Sequence, residues 1–244
     1  RDQPRSRGLG DVYKRQAYNY GDVTADMGSG MGGNSVGGIS GYNKDGGTIE
    51  KTGNTGVIKG GLAVGGIVGE NSSRIVDSNN SGDVSGRMTS IGGIAGRNRV
   101  NTGYISRANN TGNIAGSAYV AGIVGTNNGG TVEDVSNKGK ITGSQQVVGG
   151  IVGQNKNGGK ISKASNEGNV SSGNAQGASF IGGIVGFNDK STVTNVSNSG
   201  SITGTGDYVG GICGANGNAS INIAYNTGTV PVSYTHLTLP TILL

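Results

Sequence analysis

Apolar residues in this chain stand singly or in pairs among glycine, asparagine and serine, and their arrangement repeats. The clearest copy is Val148-Gly149-Gly150-Ile151-Val152-Gly153-Gln154-Asn155, and the others begin at Val36, Val64, Ile91, Val120, Ile181 and Val209. Their isoleucines, Ile39, Ile67, Ile94, Ile123, Ile151, Ile184 and Ile212, are spaced by 28, 27, 29, 28, 33 and 28 residues. A period of this size marks a repeat architecture in which each unit buries its apolar face on its neighbours. Two more features keep step with it. Ile49, Ile75, Ile105, Val132, Ile161, Val193 and Ile221 each stand five residues before Asn54, Asn80, Asn110, Asn137, Asn166, Asn198 and Asn226, each the first residue of an Asn-x-Gly. Four residues beyond those asparagines come Ile58, Val84, Ile114, Ile141, Val170, Ile202 and Val230.

One unit therefore offers three short apolar segments separated by turns. Valine and isoleucine favour strands, and the intervening glycine and asparagine favour turns. In Asn-x-Gly the asparagine is expected to bond its own backbone two residues on, and the glycine to adopt a left-handed conformation. The paired glycines before each isoleucine leave room for a close backbone approach or a bulge. These features predict an all-β parallel β-solenoid with three short strands per rung of ~28 residues, about seven and a half rungs, and like strands ~4.8 Å apart in a rod roughly 35 Å long. The elastic part of the unit, six residues from Ile58 to Val64 but eleven from Val170 to Ile181, reads as a surface loop.

Stacking in register also predicts asparagine ladders, one through Asn43, Asn71, Asn98, Asn127, Asn155, Asn188 and Asn216 and one through the Asn-x-Gly residues. Lys51, Asp77, Arg107, Asp134 and Lys163 would lie over one another with charges alternating along the stack. The wide core of an ordinary globular domain is excluded by 52 glycines, no tryptophan and 5% aromatic residues. The core must be narrow and repetitive.

The ends differ from the middle: all three prolines, the only histidine (His236) and every leucine but Leu62 lie in residues 1–16 or 231–244. Both ends resemble translated library-adapter ends and are read as non-native scars, the first expected to be disordered. Residues 17–230 form the repeat region. Residues 1–16 hold five basic and two acidic residues, so they contribute +3 of the net +5 and leave the body at +2. With no basic cluster interleaved with aromatics, no nucleic-acid partner is expected. No run of 18 apolar residues exists, so no membrane insertion is expected either.

Chemistry is sparse. Without histidine the body cannot build a Ser-His or Cys-His pair, and no zinc motif is present. No aspartate recurs at the offset a calcium-binding roll requires. Cys213 occupies the position of Val124 and Val152 in other copies and reads as a small buried residue. Glu133 beside Asp134 is the densest acidic spot, and neighbours on a strand usually face opposite ways. Tyr18, Tyr42, Tyr104, Tyr119, Tyr208 and Tyr225 could stack on sugars but share no single slot. No catalytic, cofactor-binding or metal-binding residue is assigned, and no cofactor is expected. The isoleucines from Ile39 to Ile212 are assigned to the repeat core and the asparagines from Asn54 to Asn226 to structural turns.

The unit Val-Gly-Gly-Ile-Val-Gly-x-Asn, then Ile, then Asn-x-Gly-x-Val, resembles the GLUG repeat of bacterial surface and secreted proteins, across residues 17–230. Gly38-Ile39-Ser40-Gly41 and Gly150-Ile151-Val152-Gly153 occupy the slots that name the family, with isoleucine in place of leucine throughout. The resemblance implies extracellular repeats of adhesin-like proteins, or the non-catalytic region of secreted IgA-cleaving zinc metallopeptidases. The expectation is a non-catalytic structural or adhesive module of a bacterial cell-surface or secreted protein. Its partners would be adjacent repeats and domains of the full-length protein, and a host glycan or protein. The alternatives are an accessory region of such a peptidase and, more weakly, a carbohydrate-active β-helix with two acidic side chains converging on one face.

Overall fold

The computed structural model describes residues 16–25, 35–99, 102–173, 179–205 and 207–231. Residues 1–15 and 232–244, most of the two ends read as non-native scars, lie outside the described residues. Within them every strand pairing is parallel, no helix occurs, and the chain winds into a β-solenoid of about 7 turns. One winding contributes to three sheets, here A, B and C, as Arg74–Asn80, Val84–Gly92 and Ala95–Asn98 do. Pairing follows the repeat: in sheet A, Ile75 lies beside Ile105, Ile105 beside Val132, and Val132 beside Ile161. The repeat isoleucines stack directly, with Ile123 N–H donating to Ile151 O at 3.1 Å and Ile151 N–H to Ile184 O at 2.9 Å.

The core is divided in two. One column of apolar side chains fills the space between sheets A and C and contains fully buried Ile67, Ile94, Ile123, Ile151 and Ile184, with Ile39 and Ile212 partly buried against it. A second column lies wholly within sheet B, where Ile58, Val84, Ile114 and Ile141 pack with Val64, Ile91, Val120 and Val148. Sheet B folds around that column. Its strands run unbroken through Val84–Gly92 and Ile114–Ala121, and elsewhere split at the elastic connection, as at Val170–Ser172 and Phe180–Gly182. Between the columns the backbones nearly touch. A Cβ added to Gly96 of sheet C would lie 2.5 Å from the Val64 nitrogen and 2.7 Å from the Ala63 carbonyl carbon in sheet B. The glycines of the repeat thus form a waist between two narrow cores.

Two asparagine columns close the corners of the A–C core, and in each the side-chain amides bond to their counterparts one winding away. Asn43, Asn71, Asn98, Asn127, Asn155 and Asn188 each donate through Nδ2 to the Oδ1 of the next, the last to Asn216, at 2.8–2.9 Å. The second column runs from Asn19 through Asn54, Asn80, Asn110, Asn137, Asn166 and Asn198 to Asn226 at 2.7–2.8 Å. Every bond in both columns points towards the later winding. The second N–H of each amide in that column reaches the carbonyl two residues on, as Asn137 does to Gly139 O at 2.9 Å.

The expected left-handed glycine of Asn-x-Gly is not found. Gly56, Gly82, Gly112 and Gly139 do not have positive φ; each needs to lack a side chain because a Cβ would run into the carbonyl oxygen of the same glycine one winding earlier. One left-handed residue recurs instead along sheet A, at Lys51, Asp77, Arg107, Asp134, Lys163, Asn195 and Ile223, with φ between 49° and 53°. That residue drops out of the sheet A pairing and bends each strand between its two apolar contacts. The bend explains why charged residues occupy the slot: their side chains project to solvent while the backbone turns. Asn54 and Asn80 also meet the second glycine of each pair across the core, and a Cβ on Gly38 would lie 2.7 Å from Asn54 Oδ1. The two motifs therefore meet in space although their separation along the chain varies from 14 to 17 residues.

Asn137→Ala removes an acceptor from Asn110, a donor from Asn166 and a donor from Gly139 O, all buried, and should cost about 3 kcal/mol. Gly139→Ala should cost at least as much, whereas exposed Lys140→Ala should stay within about 0.5 kcal/mol. Urea unfolding followed by circular dichroism checks all three.

Candidate binding trough

The outward slots differ from the inner columns in one respect: their chemistry changes from winding to winding. The residue before each asparagine of the first column projects from sheet C, giving Tyr42, Glu70, Arg97, Thr126, Gln154, Phe187 and Ala215 in register. The residue before each Val-Gly-Gly or its equivalent stands on sheet B, giving Ser35, Ala63, Ser90, Tyr119, Val147, Phe180 and Tyr208. These two rows face each other across the corner. Ser35 Oγ donates to Glu70 Oε1 at 3.1 Å, and Ser90 Oγ lies 2.9 Å from Thr126 Oγ1.

Over the middle windings the rows enclose an open trough of about 660 Å³, lined among others by Tyr42, Arg97, Arg99, Tyr119, Gln154 and Lys156. The two arginines of its lining are both held by Glu70, whose side chain is only 11% exposed. Arg97 Nη1 lies 3.5 Å from Glu70 Oε1, and Arg99 donates Nε to Glu70 Oε2 at 2.7 Å. Arg97 also donates Nε to Ser90 Oγ at 3.3 Å, and the Arg99 guanidinium lies 5.8 Å from the centre of the Tyr42 ring. One winding beyond Gln154 the same rows become aromatic: Phe180 stacks on Phe187 at 5.2 Å and on Tyr208 at 5.1 Å.

The residues assigned from sequence lie apart from this trough. Ile39 to Ile212 form the A–C core and Asn54 to Asn226 the second amide column, both inside the coil. The tyrosines are distributed more regularly than expected, since Tyr119 and Tyr208 share one slot with Phe180. The signal was their common place immediately before the repeat valine or isoleucine, hidden by the variable loop that precedes it. Glu133 takes a hydrogen bond from the Tyr104 hydroxyl, and Asp134 sits at the left-handed bend. Among the described residues no group of three or more His, Cys, Asp or Glu side chains gathers in one place, and no helix is long and apolar enough to cross a membrane.

Of the charge-alternating slot, only Arg107 and Asp77 form an ion pair among the described residues, at 2.6 Å and 3.0 Å; Lys51 lies 3.6 Å from Glu50 instead. The hydrogen bonds from Arg107 hold the Asp77 carboxyl below its ordinary 3.8. A lowered folded-state pKa contributes stability that is present above the unfolded value and is lost as pH falls through the folded one. Both groups are solvent-exposed, so the contribution is small and screened by salt. Cys213 continues the Val152 and Val185 column, and burial pushes its thiol up to about 11.

On acid titration Asp77→Asn should therefore lose less stability than the parent chain as pH falls below the ordinary carboxylate value, a difference that shrinks at high salt. Cys213 should react with a disulfide reagent at pH 8 at least about tenfold more slowly than a free cysteine, the rate still rising as pH approaches 11.

No protein-family model matches the chain, and neither a curated protein nor a solved structure does.

Proposed function

We propose that this chain is a non-catalytic structural and adhesive module, a GLUG-type repeat segment of a bacterial cell-surface or secreted protein that spaces and presents binding surfaces. The observation that carries the reading is the contrast between inside and outside. Asparagine, glycine and β-branched residues recur on the inner positions of successive windings, while the outward row from Tyr42 to Ala215 has a different residue in every winding and ranges over acidic, basic, neutral polar, aromatic and small side chains. Such a spine tolerates varied surface residues, because the recurring inner positions form the buried columns that join the windings. Adjacent repeats and domains of the same protein would continue the stack, and a host glycan or protein would be the outside partner.

Two measurements test this. Residues 17–230 displayed on a non-adherent bacterium should increase attachment to glycan- or protein-coated surfaces, and the same segment in solution should turn over no glycoside or peptide substrate. Turnover abolished by a single substitution would overturn the reading. Reading the complete gene provides a further check: a cell-wall anchor agrees with the adhesive module, whereas a downstream His-Glu-x-x-His would place the segment beside a peptidase.

A further inference from the structure

We infer that the trough between sheets B and C binds a linear acidic polysaccharide of the uronic-acid class, laid along the axis of the coil. The inference rests on reading the chain as a binding module and names the site and ligand chemistry within it.

The shape selects an extended ligand. Strands cross the trough at right angles to its length, so a polymer following the axis meets a new pair of outward side chains about every 4.8 Å. An extended peptide gains little here. Peptide recognition by strand addition needs an unpaired backbone edge, and the strands flanking the trough spend their backbone groups on the windings before and after. Arg97, Arg99 and Lys156 are set against Glu70 and Asp45, a net of one positive charge, so ligand carboxylates are met singly, at the arginines and at Lys156, and not by a continuous basic row.

The chemistry that remains suits a sugar acid. The carbon-bound face of a pyranose ring is apolar and packs on aromatic faces, which Tyr42 and Tyr119 offer in the trough, Phe180 and Phe187 one winding further on, and Tyr208 two. Gln154 and Asn128 supply amide donors and acceptors for hydroxyl groups. The two arginines supply the selectivity. Each guanidinium carries five N–H donors in a fixed fork, and Glu70 with Ser90 engages only part of them. Because the nearly buried Glu70 holds both groups in place, less side-chain entropy remains to be lost when a ligand carboxylate arrives. Lys156, on the same wall, adds a cation farther along the axis.

The experiment is calorimetric titration of the whole chain with oligogalacturonates of increasing length and, in parallel, with neutral cello-oligosaccharides. Oligogalacturonates should bind, more tightly as they lengthen, and the affinity should fall when salt is raised from about 0.05 to about 0.5 M. Arg99→Ala and Lys156→Ala, both at exposed or half-exposed positions, should each weaken binding about tenfold while circular dichroism stays unchanged. Tyr208→Ala should weaken only the longer oligomers, which alone reach the aromatic end. Equal affinity for the neutral oligosaccharides, no binding by the parent chain, or unchanged affinity in folded Arg99→Ala would each overturn the assignment. A chain that ignores oligogalacturonate yet still promotes attachment sinks the trough alone. Cleavage of an added substrate would sink the module reading instead.

Discussion

Burying an amide in a narrow apolar coil is tolerable only when each of its donors and acceptors is met, and this coil meets them by repetition. Asn98, Asn110, Asn127 and Asn137 are fully buried, and each finds in the next winding the same residue in the same orientation. An unmet buried amide costs a substantial part of a domain's marginal stability. The columns therefore impose register more strictly than the apolar contacts do. The apolar positions exchange isoleucine for valine, as Ile161 lies beside Val193, or valine for alanine, as Ala95 lies beside Val124. The asparagines do not exchange.

Glycine is the second constraint and acts through absence of volume. The Asn-x-Gly glycines stack so closely that a methyl group would enter the neighbouring carbonyl, and the waist at Gly96 brings sheet C onto the backbone of sheet B. Pinching the section in this way leaves two slender cores in place of one broad one, which is how a chain with so few aromatics still buries what apolar surface it has. It also creates the outer concavity between sheets B and C where Arg97, Glu70 and Ser90 meet. The trough is a by-product of the packing inside.

Much of the architecture was legible in the sequence because a solenoid writes its period directly into its residues. The stack of Ile123, Ile151 and Ile184 and both amide columns follow from counting. Conformational detail was less legible. Asp77 and Arg107 read as a cross-strand charge pair, yet their slot is the left-handed bend, and Ile223 adopts it in spite of its branched side chain. The glycine of Asn-x-Gly read as left-handed because that is what glycine most often supplies in a turn, whereas close stacking is what requires it here. The trough was hidden for a different reason. Tyr119, Phe180 and Tyr208 align only after the variable connections of sheet B are placed, and the facing of two rows across a corner is a property of the fold and not of spacing.

The amide columns have a direction. The backbone bonds between windings run both ways, Ile67 N–H to Ile94 O in one sense and Arg99 N–H to Asn71 O in the other, so their dipoles largely cancel. The asparagine side chains all point the same way, like arrows in two parallel files. Any further winding that joins such a file must arrive facing as the others do, since a reversed one would bring donor against donor or acceptor against acceptor. The coil thus distinguishes its leading face from its trailing face by side-chain chemistry alone, and two such coils can be joined front to back without interrupting either file, but never front to front.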